Sequence, residues 1–220
     1  MYALDPNAAK KADQTGNRLT EIGKYVGTIT QAEDITAGTG TKGIALRFEV
    51  NGQSANLSLY TMKTDGTKIM GHQVLMAMMT CLGLRNIEPK AGKVKRWDST
   101  AKVEVTEDAQ VFPDLCGKPL GLLLETEGYW KADGGEGKRM VIAGVFQAKT
   151  ELTATEILDR KTTPELLPKM VARLHHRPAR GTPAAQPQRS AQSGGSGFDD
   201  MDDDIPFRDP LSYRGVHLVL

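Results

Sequence analysis

Apolar and polar residues alternate along two consecutive segments on either side of Asn51-Gly52. Asn-Gly favours a two-residue type I′ turn, and such a turn sets the register of a β-hairpin. That register gathers the large apolar side chains on one face, pairing Val50 with Gln53, Phe48 with Ala55, Leu46 with Leu57 and Ile44 with Leu59. The other face pairs Glu49 with Ser54, Arg47 with Asn56, Ala45 with Ser58 and Gly43 with Tyr60. The pattern predicts a hairpin with one core face and one polar, outward face.

The rest of residues 19–176 contains further periodic segments separated by glycine-rich turns. A segment rich in Thr, Ile and Val predicts a first strand over 22–35. Apolar residues at helical spacing predict a helix that ends at Gly83, the positions being Val74, Leu75, Met78, Met79 and Leu82. Two more strands are predicted over 119–127 and 139–149, and two short helices over 155–160 and 164–174. Residues 84–116 are less regular, with a short strand predicted over 102–106.

This order predicts a mainly β protein: three strands, a helix, an insertion and two more strands. It is the order of an OB-like β-barrel of five or more strands, with the helix between strands 3 and 4. Other small barrels remain open as alternatives. The C-terminal helices close the domain, and a disordered acidic tail follows them.

Composition divides the chain into five predicted regions. A polar, flexible N-terminal arm covers 1–18 and the folded domain covers 19–176. Residues 177–197 are rich in Pro, Gly, Gln and Ser and predict a flexible linker, because they offer too little apolar surface to offset ordering entropy. The acidic segment 198–207 and an extension over 208–220 complete the chain.

The net charge of +1 conceals a charge asymmetry. Residues 1–190 carry 26 basic and 21 acidic side chains, a net +5, whereas 191–207 carry five aspartates and no base. A mildly basic body with an acidic tail differs electrostatically from a neutral globular protein.

Several classes of protein are excluded on composition. No apolar run is long enough for a membrane span, no secretory leader is visible, and two cysteines, Cys81 and Cys116, are too few for a disulfide framework. We therefore expect buried free thiols and a cytoplasmic protein. A homo-oligomer is compatible with the sequence.

Catalytic and cofactor motifs are absent or out of context. Gly38 to Gly43 match G-x-G-x-x-G, but the match joins two predicted strands and opens no helix, so dinucleotide binding is not supported. The four histidines lack partners at zinc spacing, and the clustered aspartates lack the Gly and Glu of a calcium loop. We expect no cofactor, no metal and no enzymatic activity.

Aromatic and cationic residues are interleaved where an OB-like domain binds single strands, on strands 2 and 3 and in the adjoining loops. Unpaired bases stack on aromatic rings, and phosphates are neutralised by cations. The candidate DNA-binding residues are Lys42, Arg47, Tyr60, Lys95, Arg96, Trp97, Trp130, Lys131, Lys138 and Arg139.

The acidic segment carries the most specific motif. Its residues 202–207, Asp-Asp-Asp-Ile-Pro-Phe, together with the preceding linker, resemble the acidic tip of bacterial and phage single-stranded DNA-binding proteins. The resemblance implies that the tip recruits replication, repair and recombination proteins, with acidic residues meeting a basic rim and Ile-Pro-Phe filling an apolar pocket. The partner-binding residues would be Asp199, Asp200, Asp202, Asp203, Asp204, Ile205, Pro206 and Phe207. The family's tip ends at the Phe, whereas here residues 208–220 follow Phe207.

The body of the chain also resembles small phage proteins that accompany recombination and replication genes. The resemblance rests on Gly23 to Gly27, Gly40 to Gly43 and Ala154 to Leu158. Together the two resemblances imply a protein that binds and protects single-stranded DNA without strong sequence preference. If the chain is phage-encoded, the resemblance implies that it acts in the host cell's cytoplasm.

Two alternatives remain open. The first is a protein-interaction module, such as a recombinase loader or inhibitor, with little intrinsic DNA binding; a body charge of only +5 is compatible with it. The second is a nuclease, for which Glu49, Glu125 and Glu127 are the strand carboxylates to consider.

Overall fold

The structure is a computed structural model that describes residues 18–98, 101, 103–131 and 133–181. Most of the predicted N-terminal arm, most of the linker, the acidic tip with its partner-binding residues, and the extension over 208–220 lie outside the described residues. Those predictions are therefore not tested.

The described residues are mainly β-structure, as predicted. The strands are β1 (Gly23–Thr36), β2 (Lys42–Val50), β3 (Gln53–Met62), β4 (Lys90–Asp98), β5 (Val103–Val111), β6 (Pro119–Trp130), β7 (Glu136–Phe146) and β8 (His176–Arg177). The helices are α1 (Met70–Leu82), α2 (Ala154–Leu158) and α3 (Leu166–Val171), and a 3-10 turn covers Pro113–Leu115. No helix in the described part of the chain is long and apolar enough to span a membrane.

The predicted β2–β3 hairpin is confirmed in every residue pair named above. Asn51 has φ 48° and Gly52 has φ 80°, the positive values that a type I′ turn requires at both positions. Phe48, Leu46 and Ile44 are buried together with their partners Ala55, Leu57 and Leu59, so the apolar face is the core face.

The predicted helix α1 is also confirmed, with Leu75, Met78, Met79 and Cys81 buried. It ends at Gly83, whose φ of 68° is the left-handed conformation that glycine adopts readily at a helix C-terminus. Burial raises the pKa of the Cys81 thiol to about 11, as expected for an inert buried cysteine.

The expectation of a closed barrel is wrong for the described residues. The eight strands form one sheet in the order β3-β2-β1-β5-β4, and β6 joins it through the first half of β1. All strand pairs are antiparallel except β6–β8, which is parallel. β3 and β7 contact each other, but no backbone pairing joins them in the described residues, so the sheet stays open.

The insertion differs most from the prediction. In place of one short strand over 102–106, it forms a long β4–β5 hairpin, and β4 contains the basic stretch from Lys93 to Trp97. This hairpin joins the sheet through a single residue pair, Glu33 with Val111. Its strands are largely exposed, with Val94 buried, which is why apolar periodicity did not reveal β4.

β1 is the strand that connects the β2–β3 hairpin to the β6–β7 hairpin, because it pairs with both β2 and β6. Its residues 23–28 pair with β6, and its residues 28–36 pair with β2 on the opposite edge. The register shifts between Ile29 and Gln31, an irregularity of the kind that increases local twist. The main core lies between the β1–β3 and β6–β7 strands and α1, and a smaller cluster of Leu123, Phe146 and Leu167 lies under α3.

Candidate functional site

A groove of about 480 Å³ lies on the outward face of the β2–β3 hairpin. Its floor is the polar face predicted from the hairpin register and includes Arg47, Asn56 and Ser58. The β4–β5 hairpin forms the facing wall. The groove is lined by Arg18, Gln31, Ala45, Leu46, Arg47, Ser54, Asn56, Leu57, Ser58, Lys95, Arg96, Trp97 and Glu104.

Three polar contacts hold the wall against the sheet, two to β1 and one to Arg47 on the floor. The Gln31 side chain on β1 accepts a hydrogen bond of 2.8 Å from the backbone N–H of Lys95. Nη1 of Arg47 donates to Oε1 of Glu104 at 2.9 Å. Nη2 of Arg96 forms an ion pair with Glu33, a carboxylate that is 8% exposed. These side-chain contacts add to the backbone pairing of Glu33 with Val111 in attaching the wall to the sheet.

The groove brings together four of the predicted DNA-binding residues: Arg47, Lys95, Arg96 and Trp97. Trp97 is 66% exposed, an unusual environment for so large an apolar side chain. The Lys95 side chain is also 66% exposed. A solvated ring beside an extended cation can stack a base and meet a phosphate at the same time.

The groove is nevertheless of mixed charge. Arg47 lies between Glu104 and Glu49. The distance from Nε of Arg47 to Oε1 of Glu49 is 3.4 Å. Arg96 contacts Glu107 at 3.3 Å as well as Glu33. The hydrogen bond from Arg47, aided by the charge of Lys95, lowers the pKa of the Glu104 carboxyl. An anionic ligand must therefore compete with carboxylates that are already in place.

Lys42 and Tyr60 lie at the other end of the β2–β3 hairpin and do not line the groove. Lys42 is exposed at the start of β2. Tyr60 is half-buried, and its ring packs against its cross-strand partner Gly43, so close that a Cβ there would lie 3.0 Å from Cδ1 of the ring. Contact of Lys42 and Tyr60 with DNA therefore stays a prediction. Both residues lie further along the strands than the four predicted residues that line the groove.

The remaining predicted contacts lie on the β6–β7 hairpin, which does not contribute to the groove lining among the described residues. Lys131, Lys138 and Arg139 are exposed there. Arg139 forms an ion pair of 2.8 Å with Glu127 and lies 6.0 Å from the ring centroid of Tyr129. The Tyr129 ring covers Gly137, its cross-strand partner.

Trp130 has a partner within the chain. It is half-buried, and its indole Nε1–H donates a hydrogen bond of 3.0 Å to the carbonyl of Gly181. Residues 176–181 lie along the β6 edge, beginning with the parallel pairing of β8. The environment of Trp130 is thus set by a segment that sequence analysis assigned to the linker.

The strand carboxylates considered for catalysis also have basic partners. Glu125 is 3% exposed and accepts a hydrogen bond of 2.6 Å from Nε of Arg177. Glu49 contacts Arg47, and Glu127 contacts Arg139. Within the described segments, no three His, Cys, Asp or Glu side chains are grouped so that they could hold a metal ion.

Sequence analysis missed three groove residues, Arg18, Gln31 and Glu104. Arg18 was placed in the N-terminal arm, but it pairs in parallel with Ser54 at the edge of β3. Glu104 lies directly opposite Trp97 in the β4–β5 register. The strand predicted over 102–106 includes Glu104, but its sequence pattern did not indicate which residues Glu104 would face.

Comparison of the chain with models of known protein families and with curated proteins finds no match. The assignment of function therefore rests on the groove, on the β6–β7 hairpin and on the sequence motifs.

Proposed function

We propose that the protein binds single-stranded DNA without strong sequence preference, along the groove between the β2–β3 floor and the β4–β5 wall. The observation that carries this proposal is the exposed Trp97 ring beside Lys95, over a floor that contains Arg47. A stacked base contributes about 1–3 kcal/mol to binding, and each neutralised phosphate releases counterions. The groove volume falls within the range of about 300–1,000 Å³ that is usual for ligand sites.

We further infer an OB-like relationship for the sheet. In support, β1 pairs with both β2 and β6, and α1 follows β3 as the helix does in OB folds. OB folds bind oligonucleotides on the face of strands 2 and 3, and the groove floor lies on that face. The open β3–β7 edge and the inserted β4–β5 hairpin are the departures from this arrangement.

The β6–β7 residues Trp130, Lys131, Lys138 and Arg139 are proposed as a second contact region, reached by a strand that extends beyond the groove. The acidic tip over 198–207 is proposed to recruit replication, repair or recombination proteins. That part of the proposal rests on its sequence resemblance. We propose no catalytic role.

The first prediction concerns the whole chain with fluorescent oligo(dT) and duplex DNA of equal length, measured by anisotropy at about 50 and 200 mM salt. We expect the single strand to bind more tightly, with affinity that falls with salt at a log–log slope of about −0.7 for each phosphate contacted. Equal or tighter binding of the duplex would overturn the proposal.

A matched pair of lysine variants localises the binding. Lys95→Gln removes a charge from the groove, whereas Lys149→Gln removes the same charge from an exposed turn after β7 that does not line it. We expect only Lys95→Gln to make the salt slope shallower, by about 0.7. Equal effects of the two variants would assign binding to net charge and not to the groove.

A protein-interaction module is the second candidate, because the carboxylates beside Arg47 and Arg96 make this a mixed-charge surface. Affinity capture with the whole chain after nuclease treatment distinguishes the two functions. A partner retained by a chain that does not bind oligo(dT) supports the interaction module, and oligo(dT) binding that depends on Lys95 supports the proposed function.

A further inference from the structure

Among the described residues that line the groove, Glu104 is the one carboxylate. It projects from β5 of the wall and reaches Arg47 on the floor, so its 2.9 Å contact spans the groove. Its other oxygen, Oε2, lies 3.9 Å from Nζ of Lys95. Two of the proposed phosphate-binding cations are thus held by one side chain.

Arg47 has binding capacity that the chain does not use. Its side chain is 34% exposed, and its Nε is buried without a hydrogen-bond acceptor among the described residues. The nearest carboxylate oxygen, Oε1 of Glu49, lies 3.4 Å away without the geometry of a hydrogen bond. A buried donor without an acceptor is rare in folded proteins, so the described residues leave the guanidinium of Arg47 incompletely bonded.

Carboxylate and phosphate groups make the same demands on a guanidinium, which donates two parallel N–H bonds to either. Glu104 therefore occupies one of the positions at Arg47 that a phosphate oxygen would use. The other nearby carboxylates differ in placement. Glu33 is buried under Arg96, and Glu49 lies next to Arg47 on the outward face of the same strand, β2.

We propose that Glu104 is an internal competitor for phosphate: a bound strand displaces its carboxylate from Arg47 and Lys95, so Glu104 sets the affinity and salt dependence of the groove. This inference rests on the proposed function. Release of Glu104 leaves the backbone pairing of β4 with β5 intact, and Gln31 and Arg96 still hold the wall. The Glu104 side chain can therefore move away from Arg47 while the wall and the floor of the groove stay in place.

The test is Glu104→Gln in the full chain, with oligo(dT) and inorganic tripolyphosphate as separate probes. Gln keeps the size of the side chain and removes its charge. We expect both probes to bind roughly fivefold more tightly, since a half-exposed ion pair no longer has to be broken. We also expect the salt slope for oligo(dT) to become steeper by about 0.7, the value of one added phosphate contact.

Two controls separate competition from net charge. Asp108→Asn removes one negative charge from the same strand outside the groove lining and should change affinity less than twofold, because salt screens exposed charges. In an Arg47→Gln background, Glu104→Gln should bring no gain, because the site of competition is gone. Gains of equal size in all three cases would overturn the inference.

The outcomes distinguish this inference from the proposed function. Oligo(dT) binding that Glu104→Gln leaves unchanged or weakens keeps the proposed function and overturns the inference. Tighter tripolyphosphate binding by the variant, with no oligo(dT) binding by either protein, keeps the inference as an anion site and overturns the proposed function. Binding of neither probe to either protein overturns both.

Discussion

At the scale of single residues, the two tryptophans show how similar sequence contexts lead to different environments. Both stand beside lysine or arginine near a hairpin tip. Trp97 is 66% exposed and lines the groove, whereas Trp130 is half-buried and bonded to Gly181. The two environments differ because Trp130 contacts Gly181, which lies about fifty residues further along the chain. The sequence around each tryptophan therefore could not distinguish them.

Trp97→Ala should weaken oligo(dT) binding by about 1–3 kcal/mol if the ring stacks a base. Trp97→Phe should retain most of the affinity, because it keeps an aromatic face. Since the ring is exposed, the free energy of unfolding should change by no more than about 0.5 kcal/mol. Anisotropy and urea denaturation measure the two quantities, and unchanged affinity in Trp97→Ala would remove Trp97 from the interface.

Trp130→Ala provides the comparison on the β6–β7 hairpin. A loss of affinity without a loss of stability would support the predicted contact. A loss of stability alone would assign the ring to packing against residues 176–181.

Gly71 shows a constraint that only the packed structure reveals. A Cβ at this position would lie 1.9 Å from the carbonyl oxygen of Tyr60, so the first turn of α1 sits directly on the backbone of β3. Gly71→Ala should therefore destabilise the protein by about 1–3 kcal/mol, the usual cost of overpacking. Gly38→Ala is the matched control, because nothing lies within 4 Å of its Cβ position. Equal unfolding midpoints for the two variants in urea would refute the close contact.

At the scale of elements, one buried carboxylate joins α2 to α3. Glu156 is fully buried and forms a capping box with Thr153 at the start of α2. Its Oε1 also accepts hydrogen bonds from the backbone N–H groups of Glu165 at 2.6 Å and Leu166 at 2.8 Å. Helices of five and six residues have little stability alone, so this shared acceptor holds the pair in place.

The pKa of Glu156 gives this contact a pH dependence. Burial raises the pKa, but the hydrogen bonds from Thr153, Leu166 and Glu165 outweigh burial and lower it from 4.5 to about 2. Because the folded state binds the proton more weakly than the unfolded chain, the stabilisation is fully present above about pH 4.5 and is lost as the pH falls towards 2.

Glu156→Gln should lower the free energy of unfolding at pH 7, because leaving even one buried donor poorly bonded costs about 1–3 kcal/mol. The deficit relative to wild type should shrink between pH 4.5 and 2, because in this range Glu156 is protonated in the unfolded wild-type chain but not in the folded state, so wild type loses stability. Urea denaturation at several pH values measures it, with the exposed Glu88→Gln as control. A deficit that stays constant from pH 7 to pH 3 would contradict the assigned ionisation.

The β4–β5 hairpin is an element held by pairing more than by burial. Its nine residue pairs are continuous, yet most of its side chains are exposed. It contributes Lys95, Arg96, Trp97 and Glu104 to the groove. The proposed competition at Glu104 therefore depends on an element that stands apart from the main core.

At the scale of the whole molecule, β1 is shared by the two halves of the sheet, and the open β3–β7 edge leaves the halves joined through that strand and the core. The groove takes residues from five of the strands, β1 to β5, and from Arg18 before β1. Such a site exists only in the assembled sheet. The first prediction, preference of the whole chain for single strands, belongs to this scale.

The sequence alone determined the β2–β3 register, the outward position of Arg47, Asn56 and Ser58, and the buried face and C-terminal end of α1. These features follow from local rules: turn geometry sets the pairing, and side-chain periods of 2 and 3.6 set the faces. These features could therefore be predicted from residues that are close together in the sequence.

Only the tertiary structure decided that the sheet stays open, that β4 is a strand and that Glu104 meets Arg47. Strand closure depends on twist summed over many residues, and a largely exposed hairpin leaves no apolar period to detect. The contact between Glu104 and Arg47 joins residues far apart along the chain, so it was settled by how the wall packs on the floor and not by either segment's own pattern.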